Sequence, residues 1–217
     1  MKELDNPILD TMLPPFLFEE LKKIVNEKNK PHHPHLAGNI VRAESFREHM
    51  PIFQEFFGKT ILMYSPFTNV YIPQLLQRRI RLEGDRIRIE LRDLWVNHMK
   101  QYEFNPLHHH EGCFSFIIFV KVPFKIEEMH KIAPGAKGNR NLAGAVTFLH
   151  QGSNKTDEFF TEETIYPDER WEGKCLIFPS TLHHSVYPFY GTEETRITVS
   201  GNVYVELMHQ QPLHGKI

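Results

Sequence analysis

NPLHHHEGCFSFIIFVKVP, residues 105–123, sets three consecutive histidines, a glutamate and a glycine directly ahead of the most apolar run in the chain. In an extended segment the side chains at i and i+2 share a face. His108 and His110 therefore form one pair, His109 and Glu111 another, and either pair offers two donors to a single metal ion. Histidine runs also occur as clusters that merely titrate in solvent, so the reading depends on the rest of the chain. Phe114–Val122 predicts a strand buried on both faces and stopped by Pro123.

Toward the C terminus, residues 124–143 are polar and punctuated by Pro134, Gly135 and Gly138, which predicts a long insertion. Val146–His150 predicts a short strand, and residues 151–164 a second polar loop. Loops of that length in a small domain commonly serve as binding lids. Gly173 marks a turn and Lys174–Phe178 a strand. FPSTLHHSVYPF (178–189) then places His183 and His184 at the strand exit, between Pro179 and Pro188. The alternating RITVSGNVYVEL (196–207) predicts a last strand with Arg196 and Thr198 on one face.

Toward the N terminus, Asp10–Asn29 predicts a helix with Pro14 and Pro15 in its first turn and Leu17, Leu21, Ile24 and Val25 along one stripe. PHHPH (31–35) predicts a loop. A second helix is expected after Ser45, kinked or restarted at Pro51, with Ile52, Phe53, Phe56, Phe57 and Ile61 as its apolar face. From Arg78 the period changes to two. RIRL (79–82), a turn at Gly84 and RIRIEL (86–91) predict a hairpin whose arginines form the solvated face. Leu94–Met99 predicts a further strand with Trp95, Asn97 and Met99 on one side. Residues 1–77 are thus expected to be a helical support and 78–217 a β core, together one structural domain. Two helices followed by eight or more strands predict a mainly β fold, a double-sheet jelly roll of cupin type.

Composition narrows the function. At 41% hydrophobic and 12% aromatic residues the chain can pack a core. A formal net charge of −2 gives no basic surface for nucleic acid. No apolar run approaches the ~20 residues of a membrane span. The opening MKELDNPILD has acids and a proline where a signal peptide needs an apolar stretch. Two cysteines, Cys113 and Cys175, make no disulfide framework and read as small core residues. A reducing cytoplasm is the expected compartment. Phe114, Phe116, Phe119 and Phe178 are expected in the core, and His98, His130 and His150 as surface or hydrogen-bonded core histidines.

A histidine pair, a distant histidine, then an inward arginine and hydroxyl suit one chemistry. Non-haem Fe(II) oxygenases hold iron by three facial ligands and keep three positions open. A dicarboxylate cosubstrate chelates the iron at one end, and its far carboxylate calls for the two-pronged donor that arginine supplies. NPLHHHEGCFSFIIF, FPSTLHHSVYPF and RITVSGN, in this order, resemble the Fe(II)- and 2-oxoglutarate-dependent dioxygenases, in particular the prolyl-hydroxylase-like set of marine bacteria and phages. The likeness spans residues 95–203, and LAGNI (36–40) also resembles phage members of the set. It implies a double-stranded β-helix, Fe(II), 2-oxoglutarate and O2, with release of succinate and CO2. It places His108, His110 and His184 on the metal, Arg196 and Thr198 on the cosubstrate carboxylate, and Asn97 and Asn202 beside the cosubstrate. It favours hydroxylation of a peptidyl residue such as proline, with a small-molecule substrate also open, in a host cytoplasm if the chain is phage-encoded. The wider superfamily uses histidine-X-aspartate/glutamate, so His109 with Glu111 stays an alternative pair, as His183 does for His184. The spare histidines would then fix ligand tautomers. The competing reading is a three-histidine cupin-like metal protein, or a phage structural or binding module, without 2-oxoglutarate chemistry.

Overall fold

Alternation along the strands divides the molecule into two facing antiparallel sheets in the computed structural model. It describes residues 7–27, 30–31, 38–76, 86–151 and 160–208. The larger sheet has the order β1-β9-β6-β11-β4-β3-β2. These are β1 (Leu9–Met12), β2 (Lys30–Pro31), β3 (Arg42–Ser45), β4 (Arg86–Met99), β6 (Phe114–Lys121), β9 (Lys174–Pro179) and β11 (Arg196–Met208). The smaller sheet runs β5-β10-β7-β8, from β5 (Asn105–His108), β7 (Val146–Gln151), β8 (Phe160–Ile165) and β10 (His183–Val186). This is the expected double-sheet jelly roll.

The apolar run 114–121 is buried on both faces because different partners cover each. Phe114, Phe116, Ile118 and Val120 face a core shared with helices α1 (Pro15–Ile24) and α2 (Met50–Met63). There Phe57 stacks on Phe116 at 4.0 Å, and Phe67 packs on Phe114 at 4.5 Å. Ile117 and Phe119 face the other way, into an inter-sheet core with Phe148, Phe178 and Phe189. Strand β9 divides likewise, Cys175 and Ile177 toward the helices, Leu176 and Phe178 toward the smaller sheet.

Several expectations change. The chain from Asp10 is not helical at once: Leu9–Met12 pairs with Lys174–Ile177 at the edge of the larger sheet, and the helix starts at Pro15, whose fixed φ suits a first turn. Leu17, Leu21, Ile24 and Val25 are buried as predicted. Of the two alternatives at Pro51 the restart holds: a 3-10 turn at Arg47–His49 precedes α2, which has Pro51 in its first turn. The two strands expected at 86–91 and 94–99 are one, β4. Leu91 pairs with Val203 and Asp93 with Asn202, which leaves Arg92 as an extra residue. Such a bulge shifts the alternation by one, so Ile89 and Leu91 face the helices before it and Leu94 and Val96 after it. The first limb of the expected hairpin, 79–82, and the loop 32–35 lie outside the described residues. The insertion 124–143 carries a helix, α4 (Ile126–Ile132), because Met129, Ala133 and Ala143 reach the inter-sheet core. The loop expected at 151–164 ends in β8, which pairs along β7. No helix among the described residues is long and apolar enough to cross a membrane.

Candidate metal and cosubstrate site

Strand register brings the histidines together. β10 pairs with β5 so that His184 stands opposite His108. Between that pair and Val186–Asn105, β5 spends one residue more than β10, at the bulge containing Pro106. A proline tolerates a bulge, where its missing donor is not needed. His110 lies just beyond the end of β5, its backbone N–H donating to Ser180 O at 2.9 Å. One ring nitrogen from each of His108, His110 and His184 falls within 4.8 Å of the others. The ring centroids are 4.3–5.1 Å apart. His109 and Glu111 are exposed, whereas His184 is buried. The structure thus brings His108, His110 and His184 into one cluster and leaves the alternative pair outside it.

The spare histidines do not orient the cluster. His108 Nδ1 lies 2.7 Å from Pro106 O and His184 Nδ1 3.1 Å from Leu182 O. Each carbonyl, two residues back along the chain, calls for an N–H at Nδ1 and leaves the Nε2 lone pair free for a metal. Burial pushes the pKa of all three rings below the usual histidine value, and repulsion from neighbouring histidines adds to it, from His109 and His183 in the case of His108. His110 falls to about 3. Three neutral imidazoles are a donor set that suits iron.

The other wall comes from the larger sheet. Arg196, Thr198, Ser200 and Asn202 on β11 and Asp93, Trp95, Asn97 and Met99 on β4 line a cavity of about 550 Å³ that also holds the three histidines. Arg196 is 1% exposed. Its Nη1 donates a long hydrogen bond to Gly144 O at 3.4 Å, and its Nε has no partner. Phe119 lies 5.8 Å beneath the guanidinium. Burial, with no acidic side chain among the described residues to offset it, brings the pKa down to about 10. An unpaired buried cation costs several kcal/mol, and an anion entering the cavity removes that cost. Asn97 Oδ1 and Asn105 Oδ1 are likewise buried and unpartnered on the cavity wall. Asn202 is engaged: Ser115 Oγ donates to its Oδ1 at 2.9 Å, and its Nδ2 donates to Asp93 Oδ2 at 3.3 Å. Arg47 pairs with Asp93 at the rim.

Asn105, Ser200, Asp93 and Arg47 were not among the residues read from sequence. Ser200 shares the parity of Arg196 and Thr198, so alternation alone points to it. Arg47 carries no such signal. Of the other histidines, His130 Nε2 meets Ala143 O at 3.0 Å and His150 Nε2 meets Glu163 at 3.1 Å, as expected. His98 departs from that pattern: it is buried with Nε2 unpartnered. Cys113 is half-buried rather than in the core, its Sγ 3.4 Å from Val205 N; Cys175 is fully buried.

A jelly roll with three converging histidines and a buried unpaired arginine in one cavity defines a mononuclear metal protein with an anionic ligand. Residues 93–202, half of the chain, match the family described as "Putative 2OG-Fe(II) oxygenase", and the chain belongs to that family. It is therefore a 2-oxoglutarate-dependent Fe(II) oxygenase, requiring Fe(II), 2-oxoglutarate and O2. No curated protein sequence matches it. Among solved structures it is similar to a prolyl-4-hydroxylase from Pseudomonas putida, at 11% identity over 91% of both chains and a TM-score of 0.52. It is also similar to an oxidoreductase of the 2OG-Fe(II) oxygenase family from Burkholderia pseudomallei, at 13% identity over 90% of this chain and 84% of that one, TM-score 0.51. These likenesses give the fold as the double-stranded β-helix. Family membership displaces the reading as a cupin-like or structural protein without 2-oxoglutarate chemistry.

Proposed function

We propose that the chain hydroxylates an unactivated C–H bond of a peptidyl substrate, a prolyl residue foremost, with His108, His110 and His184 holding Fe(II) and Arg196 and Thr198 holding the far carboxylate of 2-oxoglutarate. The observation that carries the reading is Arg196, buried and unpaired in the same cavity as the three histidines. When bound, Fe(II) couples the oxidative decarboxylation of 2-oxoglutarate to succinate and CO2 with insertion of the second oxygen atom of O2 into the substrate C–H bond. Arg196 neutralises the carboxylate with paired N–H donors. Thr198, on the same face of β11 and lining the cavity, completes the acceptor's hydrogen bonds. Asn97, beside Thr198 on the cavity wall, can donate its amide N–H groups to the cosubstrate, while Asn202 acts from within its bonded network. The closed inter-sheet core of Phe119, Phe148 and Phe178 excludes water behind the site. The peptidyl substrate is supported by the fold shared with a prolyl-4-hydroxylase, which leaves the substrate to experiment.

Two measurements test this. Metal content after anaerobic Fe(II) loading should collapse in His108→Ala, His110→Ala and His184→Ala, and persist in His109→Ala and Glu111→Ala. The reverse pattern transfers the metal to the other pair. Succinate release should rise when proline-containing peptides are supplied, and the peptide should gain one oxygen atom by mass. Stimulation by free amino acids or nucleobases alone would overturn the peptidyl assignment.

A further inference from the structure

The histidines of β5, of β10 and of the two residues just past β5 fall into two groups. His108 stands opposite His184, and His109, the first residue past the end of β5, comes beside His183 outside the inner cluster. Their rings meet there at 5.0 Å between centroids, tilted by 58°. That spacing lies within the 4.3–5.1 Å range of the three inner rings. Both residues are exposed, so water can fill the remaining coordination positions. His109 Nδ1 lies 3.4 Å from His110 O, which turns its Nε2 away from the backbone. His109 also lines the cavity, so a cation held on the pair would stand at the rim of the inner site.

The geometry points to a second, solvent-facing metal site formed by His109 and His183, which takes one borderline divalent cation of the class imidazole favours: Zn(II), Ni(II) or Cu(II). Two imidazoles whose ring centroids are 5.0 Å apart approach closely enough to act as one chelate. Two donors bind more weakly than three, so the outer site fills after the inner one. It is independent of what the inner cluster binds, and it makes the five histidines of residues 108–110 and 183–184 two sites rather than one site with spares.

Calorimetric titration of the metal-free chain with Zn(II) decides the matter. Two steps are expected, one tight and one weaker. His109→Ala and His183→Ala should each abolish the weaker step and keep the tight one, which also reports that the variants are folded. His184→Ala should abolish the tight step and keep the weaker. A single step in the unaltered chain, or a weaker step that survives in both outer variants, overturns the proposal. A tight step that survives His184→Ala counts against the inner ligand set alone and leaves the outer result readable.

Discussion

Arg196 is a cost to the empty protein. It is buried, its Nε is unpartnered, and no carboxylate among the described residues pairs with it. Arg196→Met, close in volume and apolar, should therefore raise the stability of the ligand-free chain by about 1–4 kcal/mol. The same variant should lose the melting-temperature rise on adding 2-oxoglutarate with Mn(II), while Arg196→Lys keeps the charge and weakens that response at least tenfold in Kd. An empty variant less stable than the parent would mean that Arg196 serves packing. The three inner histidines make a second statement. Burial first, and then repulsion from neighbouring histidines, hold their pKa values low. Below the ordinary value of about 6.5 the unfolded chain takes up protons that the folded chain refuses. Their contribution is fully present above that pH and declines toward the folded value of about 3 for His110. Denaturation of the metal-free chain followed from neutral pH downward should show this loss, and His184→Phe, packed against Phe148 and Phe178, should flatten it. Parallel curves would place the acid sensitivity elsewhere.

At the scale of elements, β4 is the strand that sequence reading divided. The break it saw was physical, a change of phase at Arg92, but a bulge inside one strand and a turn between two strands leave the same mark on periodicity. Helix α4 and strand β8 were hidden for a different reason. Each buries few residues, Met129 alone among the seven of α4, so neither has an apolar stripe. His184 and Arg196 were legible because they lie on strands, and His108 with His110 because the run 108–110 alternates past the end of β5. The carbonyls of Pro106 and Leu182 were not, since the main chain carries no residue signature. Among the described residues, β4 also shows how a strand edge is met beyond the end of its partner. Opposite Ile89–Leu91, beyond the end of its pairing with β3, Gln54 of α2 receives the Leu91 N–H at 2.8 Å and donates to Ile89 O at 2.9 Å. Gln54→Leu should leave both backbone groups unmet and cost about 1–3 kcal/mol, measured by urea denaturation. A neutral result would mean that water replaces the amide.

Across the whole molecule, the three histidines belong to the smaller sheet and its border, and the arginine row to the larger one. Metal alone should therefore slow amide exchange chiefly in β5 and β10. Metal with 2-oxoglutarate should extend the slowing to β4 and β11, and at 100 times its Kd the cosubstrate adds about 2.7 kcal/mol to overall stability. Uniform slowing by metal alone would show that the sheets open only as a unit. The loop 124–143, anchored through α4 by Met129 and Ala133, should be slow in every state rather than behaving as a lid.

Strand β11 turns one face to the helices, through Val199, Val203 and Val205, and the other to the cavity. Inheritance can act on the two walls separately. A lineage could trade one metal for another by altering β5 and β10 and still recognise the same keto acid, or accept a longer or shorter keto acid by altering β4 and β11 and still hold the same metal. The helices that brace the back of β11 would be indifferent to either change. Innovation in such a molecule needs one sheet at a time.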